Sequence, residues 1–244
     1  MMLLYKAWRE SRLGFVLSLT ALAAICTLFC LFPRGDLQHK YTFTQTMYLV
    51  TYAGVLRNIF IVLTLLLGLG GFLRERSYGT LAYTLALPVR RSRFIAARAV
   101  VGFAELSALA LIPAVLVPMF SRWSHQPYPS IPQALHFSVL WMVCGTMFFA
   151  FGLLLSTFVP GDYPAAATCL ISLFAYLMVL EFAPLEKFPS LDLFNVIAAW
   201  HMPYFSGRDT CFVTYLPWRT LSVITLLAVI TISVAGQIVE RQDF

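Results

Sequence analysis

Long apolar runs alternate with short polar stretches along this chain, and the runs have the length of bilayer spans. An uncharged run of roughly 16 residues or more, at about 1.5 Å per residue, can approach or cross a hydrocarbon core about 30 Å thick. Six such runs are predicted as transmembrane helices: residues 13–32, 47–73, 99–120, 133–159, 163–180 and 220–239. Residues 1–12 place Leu3, Leu4, Ala7 and Trp8 against Lys6, Arg9 and Arg12, the pattern of an amphipathic interfacial helix. A basic head before an apolar run can also mark a signal peptide. The run at 13–32 is longer than the usual core of about 7–15 residues in such peptides, so it is expected to remain as a span. Residues 181–219 hold Pro184, Pro189, Pro203 and Pro217 beside Trp200 and Trp218. That segment is too polar to span and is expected to form short outer helices at the interface before the sixth span.

Composition agrees with the pattern. The chain is 60% hydrophobic and 11% charged, against roughly 45–50% apolar residues in soluble domains. A soluble protein of this length leaves about a quarter to a third of its unfolded surface wet and could not hide so much apolar area. The expected class is an all-α integral membrane protein, with residues 1–244 as a single transmembrane domain. The five cysteines, Cys26, Cys30, Cys144, Cys169 and Cys211, include no pair with the two-residue spacing of a zinc or redox pair. Four lie in apolar runs, where a thiol acts as a small hydrophobe.

The net charge of +6 raises the question of nucleic acid, but its distribution reads as membrane topology. With the N-terminus in the cytoplasm, the inner segments carry Lys6, Arg9, Arg12, Arg74, Arg76, Arg90, Arg91, Arg93, Arg98 and Arg241. The other seven of the 17 basic residues are Arg34, Lys40, Arg57, Arg122, Lys187, Arg208 and Arg219. Six spans then put both termini in the cytoplasm, and no nucleic-acid partner is expected.

Familiar catalytic patterns are absent. A nucleotide-binding P-loop needs Gly-Lys followed by Ser or Thr, and Lys6, Lys40 and Lys187 are never so followed. There is no His-Glu-x-x-His, and His39, His125, His136 and His201 are far apart. Gly-x-Ser does not occur, which removes the usual serine-nucleophile contexts. No catalytic residue, metal site or cofactor is expected in this chain.

Residues 74–98 concentrate the chain's positive charge: RERSYGTLAYTLALPVRRSRFIAAR contains six arginines. Residues 80–87 can make two helical turns, which Pro88 stops. One reading is anchoring to anionic lipid headgroups; the other is docking of a cytoplasmic partner, whose carboxylates suit arginine forks. The order Arg74-Glu75-Arg76, Gly79-Thr80-Leu81, Leu87-Pro88-Val89, Arg91, Ala97-Arg98 resembles the permease subunits of type-2 ATP-binding-cassette exporters. Arg90 stands where that family usually has Ser, and Tyr83 also departs from its pattern. The resemblance is specific in sequence over about residues 72–98 and extends to the whole chain in layout.

The resemblance implies a coupling helix between spans 2 and 3, carried by segment 74–98. Its ATPase-coupling residues would be Arg74, Glu75, Arg76, Gly79, Thr80, Leu81, Leu87, Pro88, Arg90, Arg91 and Arg93. It implies two ABC ATPase subunits that bind ATP and Mg, a second permease chain, identical or different, and a bacterial or archaeal cytoplasmic membrane. Arg57 and Glu105 are candidate pathway or interface residues. Glu105 suits an interhelical hydrogen bond near the inner interface, since a charge at span centre costs roughly 2.5–3.5 kcal/mol on insertion scales. Arg57, about 24 Å up a continuous helix from Leu73, suits either snorkelling to headgroups or a seam between two permease chains. Gly68, Gly70 and Gly71 permit close helix packing, and Pro113 and Pro118 are expected to kink span 3. A membrane anchor without a transport path, and a membrane-embedded enzyme, remain open alternatives on sequence alone.

Overall fold

The computed structural model describes residues 2–31, 48–70, 91–123, 131–159, 161–182, 190–198 and 216–241. These form α1 (Met2–Leu31), a π-helical turn (Tyr48–Tyr52), α2 (Val55–Leu69), α3 (Arg91–Trp123), α4 (Ile131–Phe158), α5 (Asp162–Phe182), the short α6 (Leu193–Ile197) and α7 (Trp218–Arg241). No strand occurs among the described residues. Six helices, α1 to α5 and α7 with the π turn leading into α2, are long and apolar enough to cross a membrane. The all-helical, six-span expectation therefore holds.

Two local boundaries differ from the sequence reading. Residues 1–12 were expected as a helix of their own, but the described residues of that head run without a break into the span as α1. Nothing in Arg9-Glu10-Ser11-Arg12-Leu13 breaks a helix, and contacts to α3 hold the head upright. Span 3 also begins earlier than residue 99 and passes through Pro113 and Pro118 as one helix of 33 residues.

The bundle is built around α4. Its apolar window is 56% buried, against 11% for α5 and 22% for α1. α2, α3 and α7 pack on α4, α1 lies mainly along α3, and α5 rests lightly on α2 and α4. Close approach of α2 to α4 depends on two glycines that face each other. A Cβ on Gly152 would lie 2.5 Å from the Leu65 carbonyl oxygen, and one on Gly68 would collide with the Phe149 carbonyl. Above this crossing, Tyr52 stacks on Phe137 (4.5 Å between ring centroids) and Phe60 meets Trp141 (4.6 Å). These rings fill the α2–α4 interface where bulk, not closeness, is needed.

Candidate functional site

The start of α1 lies beside the start of α3, which defines a basic face of the bundle. Most of the predicted coupling segment, including Arg74, Glu75, Arg76, Gly79, Thr80, Leu81, Leu87, Pro88 and Arg90, lies outside the described residues. Arg91 and Arg93 are in the first turn of α3, and Arg93 is exposed.

Two turns into α3, a polar cluster ties this helix to α1. Arg98 and Glu105 are seven residues apart, which puts them on one helical face, and both are buried. Opposite them, α1 presents Lys6, Glu10 and Ser11. Arg98 Nη1 lies 3.6 Å from Glu10 Oε2, and Lys6 Nζ lies 3.7 Å from Glu10 Oε1. The Ser11 hydroxyl donates to Glu105 Oε1. Lys6 also sits 5.7 Å from the centre of the Phe94 ring. Two cations thus face two carboxyl groups, with a hydroxyl serving the deeper one. This arrangement lets ionisable groups sit in a membrane bundle, because each is paired inside the protein. Glu105 makes the interhelical hydrogen bond expected of it. Glu10 and Ser11 were not singled out in the sequence, because their role depends on which helix they meet.

A second constellation surrounds α6. Phe194 packs edge-on against Phe148 of α4 and at a tilt against Tyr176 of α5, with centroids 5.9 Å apart in both cases. Phe148 lies two residues from the middle of the apolar window Ala134–Phe158. The short helix therefore packs beside the middle of α4. Irregular backbone at that depth must have its polar groups satisfied by protein. The Tyr176 hydroxyl donates to the Leu191 carbonyl (2.6 Å) and accepts from the Leu193 amide (2.9 Å). Asp192 caps α6 by accepting from the Asn195 amide (3.1 Å) and side chain (2.5 Å). Arg57 Nη1 donates to the Phe194 carbonyl (3.1 Å), and its guanidinium lies 5.2 Å from the centre of the Phe194 ring.

Arg57 is half-buried and lies within three residues of the middle of the apolar window Val50–Leu69. Its guanidinium is engaged by α6. Of the rest of the α6 setting, only the Asp192-x-x-Asn195 cap had a readable sequence signal. Tyr176 had none, since its partners are backbone atoms of a distant segment.

Beneath α6 is an apolar cavity of about 200 Å³, walled by α2, α4, α5, α7 and Leu191 and Leu193. Among the described residues there is no group of three or more His, Cys, Asp or Glu side chains able to hold a metal ion.

The family model described as ABC-2 family transporter protein matches residues 13–190. No curated protein matches the chain.

Proposed function

This chain belongs to the ABC-2 family of transporter proteins, and from that membership we propose that it is the permease of an ATP-binding-cassette exporter. It pairs with a second permease chain and with two ATPase subunits, which hold ATP and Mg. The segment 74–98 docks on an ATPase subunit from the cytoplasmic side, and both termini lie in the cytoplasm of a bacterial or archaeal cell. Closure of the ATPase pair moves the docked segment, and the spans beside it change their packing to open or close a path.

The observation that carries this reading beyond family membership is the α1–α3 cluster. Arg98 stands only a few residues after the arginines of the docking segment and is ion-paired to Glu10 on α1. A pull on the start of α3 is therefore shared with α1, so the two helices move as one body. In this reading Glu105 transmits rather than contacts substrate, and Arg57 holds α6 at the depth where a substrate would pass.

The test is reconstitution. The purified chain alone is expected neither to bind nor to hydrolyse ATP, whereas with its P-loop ATPase it forms a complex that moves substrate at the expense of ATP. Glu75→Ala combined with Arg91→Ala should leave insertion intact while weakening docking or uncoupling hydrolysis from transport. Wild-type docking and transport in that double variant would remove the segment's proposed role.

A further inference from the structure

We propose that the cavity beneath α6 is a binding site for one acyl chain of a bilayer phospholipid, entered through the seam between α5 and α7. Its position comes first. Leu65, Phe148, Tyr176 and Ile224 line it from four different spans, and each lies within six residues of the middle of its span's apolar window. That is about 9 Å along a helix, inside the half-thickness of about 15 Å of the hydrocarbon layer. The cavity therefore lies at the depth of lipid chains and well away from headgroups.

Its chemistry comes second. Among the described residues, the walls are aliphatic and aromatic apart from Ser172, Ser190 and the Tyr176 hydroxyl. The Ser172 hydroxyl already donates to the Thr168 carbonyl (2.7 Å), and the Tyr176 hydroxyl is paired on both sides by the backbone leading into α6. Among the described residues, no buried polar side-chain atom lining the cavity lacks a hydrogen-bond partner. Nothing in it calls for a polar guest. Apolar cavities of about 150 Å³ stay dry and admit benzene-sized guests, so a recess of about 200 Å³ can accept the end of a hydrocarbon chain.

Access comes third. α5 and α7 both line the cavity but barely touch each other. Met147, Phe151, Leu173 and Leu227 are only partly buried, so the recess communicates with the surface. An empty recess there would forfeit dispersion contacts on every wall, while lipid chains surround it as solvent. A helix of a second copy is about 10 Å across, too wide to enter. The chain end would pack against Leu193 and so support α6 from below.

This inference rests on the chain crossing a bilayer and not on its coupling to an ATPase, so the two readings can fail separately. The full chain is reconstituted in vesicles of phosphatidylcholine bearing a photoreactive diazirine midway along one acyl chain. Adducts are located by peptide mass spectrometry. Adducts are expected on Met147, Phe151 or Leu227 as well as on the outward positions Ile171 and Phe174. Leu227→Phe, which fills the recess, should lower the inner adducts at least threefold and leave those on Ile171 unchanged. Leu227→Ala, which enlarges it, should raise adducts on Phe148 at least twofold, and it tests the site even if the larger side chain impairs folding. Labelling confined to Ile171 and Phe174, or inner labelling indifferent to the Leu227→Ala substitution, overturns the proposal. Inner residues labelled in monomers but protected in dimers would assign the recess to a second copy instead.

Discussion

Arg98 is buried between helices, and its value lies in what it neutralises. Arg98→Met removes one of the two cations facing Glu10 and leaves Lys6 as the other, so the cost should approach but not exceed the roughly 3–5 kcal/mol typical of breaking a buried pair. Glu105→Gln keeps an oxygen that can accept from Ser11 and should cost no more than about 1 kcal/mol, the net worth of an ordinary hydrogen bond. Thermal unfolding of the purified variants checks both, and an Arg98→Met protein as stable as Glu105→Gln would show that the cluster is not a clamp. The opposite sign is expected at Tyr52. Its hydroxyl is buried and has no hydrogen-bond partner among the described residues. Tyr52→Phe removes that unpaired atom and keeps the stack on Phe137, so stability should be unchanged or higher by up to about 1 kcal/mol. A clear loss of stability in the same melt would mean that the hydroxyl is engaged.

At the scale of elements, α6 shows how a five-residue helix can stand level with the middle of a bundle. Its own hydrogen bonds are too few to hold it, since short helices are marginal in isolation. Side chains from other spans supply the remainder. Tyr176→Phe deletes two bonds to the backbone at Leu191 and Leu193, together worth about 1–3 kcal/mol. The expected outcome is faster amide hydrogen exchange over residues 191–198 with the exchange of α4 unaltered. Arg57→Leu should do the same by removing the donor to Phe194, with partial recovery in Arg57→Lys. Uniform loss of protection across all helices would contradict a local role for both. The α2–α4 crossing is a second case. Gly152→Ala would press a methyl on the Leu65 carbonyl, a backbone atom that cannot swing aside. Overpacking of this kind costs about 1–3 kcal/mol, and the melting temperature of that variant checks it.

For the whole molecule, the proposed orientation puts Cys211 on the non-cytoplasmic side. Among the described residues, Cys26, Cys144 and Cys169 are buried and Cys30 is half-buried. A membrane-impermeant thiol reagent added to intact cells should therefore label Cys211 ahead of these four. Labelling of Cys211 only in inside-out vesicles would reverse the orientation. The low burial of α5 belongs to this scale as well. Tyr163 and Phe174 on it are 91% and 62% exposed, so this helix leaves a broad apolar surface for lipid or for the proposed second permease chain.

The class of this protein was readable from residue order because one physical term dominates it. Twenty-residue apolar runs have a favourable medium only in a bilayer, and the six runs became six helices. The Gly-Thr-Leu and Leu-Pro-Val order around residues 79–89 carried the resemblance to the family whose model the chain matches. Glu105 was legible by cost: a carboxyl group on a span must find a partner. Which partner was not, since Ser11 lies 94 residues away and no periodicity pairs α1 with α3. Arg57 shows the same limit. Its charge announced a need for satisfaction, yet the Phe194 carbonyl that meets it belongs to a loop-borne helix 137 residues later. The depth of α6 and the recess beneath it follow from how α4, α5 and α7 pack. Burial of apolar surface is non-directional, so a sequence can require that its apolar faces be covered without specifying by what. Only the tertiary structure decides which faces meet and what space they leave.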